Sequence, residues 1–272
     1  MKKKVAVALA AVLSAGLVSA AQAKRPVEFT VGSEYYRETY REYTNGTERL
    51  MQERGNLWSL NGGIKYSFND RHAAKIEGRY SHGESDYTGQ YMEDSYYGEA
   101  VIQNVPRRAY DIRVSYEYTQ PLNEKLDLVL ETGLGHRTLK DLGSRVNQYD
   151  YDRKNHTLYA RVGAGLDIKL PRSFEINPKV AYNHMLHGRQ HSYHNGYANK
   201  FKQSGGRGIE VEVPVSKRFA NDSKLSFGPF YRGWKVPDSE RIYSVDDDGR
   251  LWNAREPKNY THEAGVKLQY SF

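Results

Sequence analysis

The chain has 272 residues, with 40 Lys and Arg against 33 Asp and Glu, a formal net charge of +7, 23 Tyr and no Cys. The absence of cysteine excludes disulfides and a lipid-anchored cysteine. Mean hydropathy is −0.81, and no segment after residue 23 has the ~20 apolar residues of a membrane helix. The basic residues form no tract dense enough for nucleic-acid binding.

In chain order, Lys2, Lys3 and Lys4 precede an apolar stretch from Val5 to Val18, and Ala21-Gln22-Ala23 fits a small-x-small cleavage pattern. Residues 1–23 therefore read as a secretory signal peptide. Residues 24–272 contain no Pro/Gly/Ser-rich linker and read as one domain.

Period-two alternation then predicts ten strands, at about 27–43, 56–68, 72–87, 106–119, 125–139, 154–170, 174–188, 206–219, 224–236 and 258–272. Short turn-forming links (69–71, 120–124, 171–173 and 220–223) alternate with the longer stretches 44–55, 88–105, 140–153, 189–205 and 237–257. Short turns on one side and long loops on the other are the arrangement of a closed antiparallel transmembrane β-barrel, and an even strand count puts both ends on the periplasmic side. The fold class expected is all-β.

Aromatic placement agrees with this map. Phe29, Phe68, Phe174, Phe219, Phe227 and Phe272, with Tyr118, sit at the periplasmic strand ends. Tyr35, Trp58, Tyr80, Tyr110, Tyr182, Tyr231 and Tyr260 fall near the opposite ends. Two aromatic girdles are what a barrel in lipid requires.

The final strand, Tyr260 to Phe272, alternates up to a terminal phenylalanine. It resembles the closing strand of Gram-negative outer-membrane β-barrel proteins. Its ending GVKLQYSF, with Val266, Leu268, Tyr270 and Phe272, resembles the signal read by the barrel-assembly machinery. The resemblance implies an outer-membrane location, with outer-membrane lipid and lipopolysaccharide, the assembly machinery and periplasmic chaperones as partners. The chain is expected to be a monomer, because a closed barrel leaves no strand edge, and to bind no nucleic acid.

If the apolar set faces lipid, the other set lines the lumen. Its acids include Glu34, Glu77, Asp111, Glu117, Asp127, Glu131, Asp167, Glu175, Glu210, Glu212 and Glu263. Its bases include Lys65, Lys75, Arg79, Arg113, Arg137, Arg161, Lys169, Lys179, Arg232 and Lys267. The signs nearly balance, where a selectivity filter would show a surplus of one. A charge network including Lys75, Glu77, Arg79, Arg113, Glu117, Glu131, Arg161, Glu263 and Lys267 is therefore expected to fill a narrow barrel. Inward glycines (Gly63, Gly133, Gly135, Gly163, Gly165 and Gly228) leave room for such side chains.

In size and strand number the chain resembles the omptin proteases, whose external cleft carries an aspartate pair and an Asp-x-His pair. Here Asp70-Arg71-His72 falls in a periplasmic turn, and only Glu84 and Asp86 stand near the end of the third strand. Ser81, His82, Ser192 and His194 have the chemistry of a nucleophile and base, but nothing in the sequence ties one to another. Spacings of three send His184 and His187 to opposite faces of a strand, against a metal site formed with His191 and His194. Asp246-Asp247-Asp248-Gly249 lacks the ligand spacing of a calcium loop. No catalytic residue, cofactor or metal is assigned. The function expected first is a structural or surface-interaction barrel. A small channel for acidic sugars stands second, because small oligogalacturonate porins end in a similar pattern, and a surface hydrolase or lipid-modifying enzyme third.

Overall fold

The computed structural model describes residues 26–44, 48–90, 96–147, 151–194, 197–245 and 251–272; the expected signal peptide and the Asp246–Gly249 run lie outside these. Alternation of side chains produces fifteen strands among them. They are β1 (Val27–Thr44), β2 (Glu48–Ser67), β3 (His72–Gly89), β4 (Ala100–Asn123), β5 (Leu126–Leu142), β6 (Asp152–Leu170), β7 (Phe174–Ile176), β8 (Lys179–His194), β9 (Tyr197–Gln203), β10 (Arg207–Glu212), β11 (Val215–Arg218), β12 (Lys224–Val236), β13 (Ile242–Val245), β14 (Leu251–Ala254) and β15 (Lys258–Ser271). All but β13 and β14 form one antiparallel sheet of ten staves, since β7 and β8 share one stave and β9, β10 and β11 share another.

The sheet closes where β1 pairs with β15, from Thr30 opposite Ser271 to Tyr43 opposite Lys258. Phe29 and Phe272 exchange backbone hydrogen bonds of 2.9 Å each way, and their rings stack at 6.0 Å. The closing strand is thus tied to the opening one at the periplasmic rim.

Proline explains the two broken staves. Pro178 separates β7 from β8 and Pro214 separates β10 from β11; neither can donate to a ladder. The ladder recovers locally, with Leu166 donating to the Pro178 carbonyl at 3.0 Å and Asn177 to the Pro214 carbonyl at 3.0 Å. The periplasmic turns are held by asparagine side chains. Asn69 Oδ1 accepts from Arg71 and His72 backbone N–H groups at 2.9 and 3.0 Å, and Asn123 Oδ1 accepts from Lys125 at 2.9 Å. Such Asx turns are the reason asparagine marks these links.

The apolar set faces outward. Ile64, Ile76, Val114 and Leu134 are each about half exposed, while Glu34 and Glu263 are buried inside. This inversion separates a barrel in lipid from a soluble one. Phe29, Phe68, Phe174, Phe219 and Phe227 lie exposed at the periplasmic end, as the sequence map requires. Phe201 and Phe230, the two phenylalanines outside that girdle, are buried.

On the external side the strands run farther than expected. β2 begins at Glu48 and not near 56, β4 begins at Ala100 and not near 106, and β8 continues to His194 before β9 returns. The segment 237–257, expected to be a loop, carries the hairpin of β13 and β14. The outward apolar band ends at Tyr35, Trp58, Tyr110, Leu134, Leu158 and Tyr182, so these extensions stand above the membrane-spanning part.

Candidate functional site

Inside the band, the side chains of opposite walls meet. Arg79 on β3 reaches Glu263 on β15 at 2.7 Å and Glu34 on β1 at 3.3 Å. Arg137 on β5 contacts the same Glu263 at 3.1 Å. Arg232 on β12 pairs with Glu34 at 2.7 Å and Glu263 at 3.5 Å. Two carboxylates therefore hold three guanidiniums drawn from strands that do not adjoin in the sheet. A second group links Arg161 to Glu131 at 2.6 Å and Glu210 at 3.0 Å, with Arg113 to Glu210 at 3.2 Å. Asn183 Nδ2 donates to Glu210 at 2.8 Å, and Tyr159 donates to Asp111 at 3.0 Å.

Nearer the periplasm, Lys75 lies 3.4 Å from Glu77 and 3.3 Å from Glu131. Lys65 pairs with Glu117, and Lys267 pairs with Glu212 at 2.5 Å. Every residue of the expected charge network has an opposite partner, although Glu117 belongs to this lower tier and not to the tier of Arg79 and Glu263. A cavity of about 210 Å³ is lined from Ser271, Lys224 and Asp167 up to Arg79, Arg161 and Arg232; Arg137, Tyr159 and Trp234 do not line it.

Aromatic rings back the arginines. Arg79 lies over Tyr36 at 5.6 Å, Arg137 over Trp234 at 5.8 Å and Arg232 over Phe230 at 4.2 Å. Tyr36 meets Phe230 edge-on at 5.8 Å, and Tyr159 meets Trp234 at 5.4 Å. A desolvated cation is attracted to a ring face as well as to its carboxylate. Glycine makes the space. A Cβ on Gly135 would stand 2.2 Å from the Tyr159 ring, and one on Gly208 would stand 2.8 Å from Trp234.

A further cluster above the band lies outside the charge network expected from the sequence. Arg107 donates to Glu38 and Glu53. Arg153 donates to Glu42 at 2.7 Å, to Asp141 at 3.0 Å and to Glu53. Tyr40 donates to Glu42 at 2.9 Å and stands 3.4 Å from Glu256, whose other oxygen accepts from Gln190 at 2.9 Å. Glu38 and Glu42 share the inward parity of Glu34, and Arg107 that of Asp111, so alternation alone could have found them. Glu53, Asp141, Arg153 and Glu256 lay in segments expected to be loops.

The cluster holds more acids than bases. Burial, and then the adjacent Glu42, push Glu256 well above its usual 4.5, and it makes no ion pair among the described residues. A group whose pKa is raised by folding contributes stability below its unfolded value and loses it as pH rises through the folded one.

The other candidate residues do not assemble into a reactive constellation. Asp70-Arg71-His72 is at a periplasmic turn, as expected. Glu84 and Asp86 are exposed on the outer face. Ser81 is fully buried inside while His82 is exposed outside, so the two cannot act together. Ser192 accepts from Gln190 at 2.9 Å. One expectation is corrected: Met185 pairs with Tyr159 and His187 with Leu158, which leaves Leu186 unpaired. This bulge places His184 and His187 both on the outer face, because an extra residue resets the alternation. Among the described residues no group of three or more His, Asp or Glu could hold a metal ion.

Glu256→Gln is expected to flatten the loss of stability between pH 5 and pH 8, with a gain on the order of 1–2 kcal/mol at the higher pH. The check is the temperature at which the folded gel band converts to the unfolded one. An unchanged pH dependence would show that Glu256 is ionised in the folded protein.

Comparison with known proteins agrees with this architecture. Outer membrane protease OmpT from Escherichia coli superposes with a TM-score of 0.64 at 11% identity, over 93% of this chain and 99% of that one. The transport unit of the autotransporter AIDA-I from Escherichia coli gives 0.44 at 12% identity, over 94% and 93%. The translocator domain of the autotransporter NalP from Neisseria meningitidis gives 0.42 at 9%, over 98% and 95%. At such identities the likeness to OmpT speaks for the fold alone. No curated protein sequence matches. A family model described as Outer membrane protein OpcA matches residues 36–272. The chain belongs to the OpcA family of outer-membrane proteins.

Proposed function

We propose that the protein is a closed barrel that conducts no solute and presents an external surface for contact with molecules outside the cell. The observation that carries the first half is the tier in which Glu34 and Glu263 bind Arg79, Arg137 and Arg232. A narrow lumen whose charges bind one another, backed by Tyr36, Phe230 and Trp234, leaves little free charge to guide an ion. The balance of signs speaks against the acidic-sugar channel, which needs a basic surplus.

The external end supports the second half. Tyr96 and Tyr243 are 78% and 67% exposed, and Leu251 is 73% exposed. Exposed aromatic and large apolar side chains at one end mark a contact surface, and tyrosine is well suited to it because it combines apolar area with a polar tip. The arginine–glutamate cluster of Arg107 and Arg153 lies buried beneath this end and gives the extended strands a rigid base.

In planar bilayers the refolded protein is expected to show no steady unit current, whereas Arg79→Ala with Arg232→Ala is expected to open stepwise conductance. Steady, sugar-blockable openings of the unaltered protein would overturn the closed lumen and favour the channel. For the contact role, capture of the purified barrel on an array of extracellular glycans and proteins is expected to fall about tenfold on replacing Tyr96 and Tyr243 by Ser. Failure of the unaltered protein to bind any element would count against that role.

A further inference from the structure

The outer face just above the lipid band carries a pattern that neither the lumen nor the external tip uses. Across β4, β5, β6, β8 and β9, Arg108, Lys140, Lys154, His191 and Lys200 stand directly opposite one another in successive registers. The neighbouring row runs Tyr110, Thr138, His156, Arg189 and Lys202. Like charges placed opposite each other in a sheet repel and destabilise it. Among the described residues, none of these lysines and arginines has a carboxylate within ion-pair distance. Asp152, farther out on β6, instead accepts from the Ser144 backbone N–H and hydroxyl at 3.2 and 2.7 Å. On the opposite wall the cations do not stand opposite one another: Arg37 faces Asn56, Arg41 faces Gln52 and Arg54 faces Asp86.

The surrounding groups register this unbalanced field. His156 packs on His136 at 5.6 Å and His191 at 6.0 Å. Partial burial, and then Lys154 and those histidines, depress His156 to about 4. Partial burial, and then Lys200 and Lys154, depress His191.

Below the cations on the same face, Tyr110, Leu134 and Leu158 are exposed and begin the band that faces lipid. A ligand that satisfies both surfaces is anionic at one end and apolar at the other. We propose that this wall binds the phosphorylated headgroup of an outer-leaflet lipid. Phosphate oxygens accept from Arg108, Lys140, Lys154, Arg189, Lys200 and Lys202, and acyl chains lie along the apolar band. Strands tilted by roughly 35–45° make the rows climb by about 12 Å from β4 to β9. The site therefore suits a large headgroup with more than one phosphate.

The test uses the refolded full barrel in micelles doped with bisphosphorylated lipid A or its dephosphorylated form, with retained lipid counted by native mass spectrometry. Each cation near an anionic headgroup contributes about fivefold in affinity, so Arg108→Gln/Lys140→Gln/Lys154→Gln is expected to lose on the order of a hundredfold. Arg37→Gln/Arg41→Gln/Arg54→Gln makes the same charge change on β1 and β2 and is expected to change retention little. Heat-modifiable migration checks that each variant is folded. In the unaltered protein, added salt is expected to release the phosphorylated lipid, which keeps the test open if a variant does not fold. Equal losses in both triple variants, or equal retention of the dephosphorylated lipid, would overturn the proposal. So would salt-insensitive retention, or displacement by inorganic phosphate at equal phosphorus concentration, which would mark a free-anion site.

Discussion

The interior of this barrel depends on one constraint, that each inward guanidinium must find carboxylates within the lumen, several of them on strands that do not adjoin its own. A charge removed from water is costly unless it is paired and its hydrogen bonds are met. Glu263 answers this for Arg79, Arg137 and Arg232 at once. Strand register, bulge position and barrel circumference must all agree for those contacts to form. The glycines at 135 and 208 follow from the same constraint, since they admit the Tyr159 and Trp234 rings that support the arginines.

The outer surface obeys a different solvent. Within the band it is apolar and bounded by aromatic residues, and above the band it becomes charged on both faces. The inner charges of the band pair with one another, while the outer cations of β4 to β9 have no carboxylate within ion-pair distance among the described residues. On the reading proposed above, the lumen satisfies itself and the outer wall is where the protein meets its surroundings. The inward charges and the outward apolar band are two consequences of one alternating pattern seen from opposite sides.

Much of the membrane-spanning part was legible in the sequence because lipid imposes a strict alternation there. Strand positions, the asparagine turns, the phenylalanine girdle and the parity of Glu34, Arg79, Arg161 and Glu263 all follow from it. The extensions were less legible because the lipid signal disappears above the girdle. In β2 the stretch from Glu48 to Gly55 is polar on its outer face, with Gln52 and Arg54, and also buries Glu53 on its inner one. β9 (YANKFKQ) has the same mixed character. Glu53, Asp141, Arg153 and Glu256 therefore carry no strand signal in the sequence. Leu186 escaped for another reason: a bulge depends on pairing with β6, which no single strand reveals. Pro178 and Pro214 were visible, but their effect depended on where the ladder could be interrupted.

Contacts such as Arg79 with Glu263 require the inward charges to be coupled across the lumen. A double-mutant cycle between Arg79→Met and Glu263→Leu, read as unfolding free energy from reversible denaturation in micelles, tests this coupling most directly. A coupling energy above about 1 kcal/mol is expected, with each single variant losing more than the pair. Additivity within about 0.5 kcal/mol would contradict it.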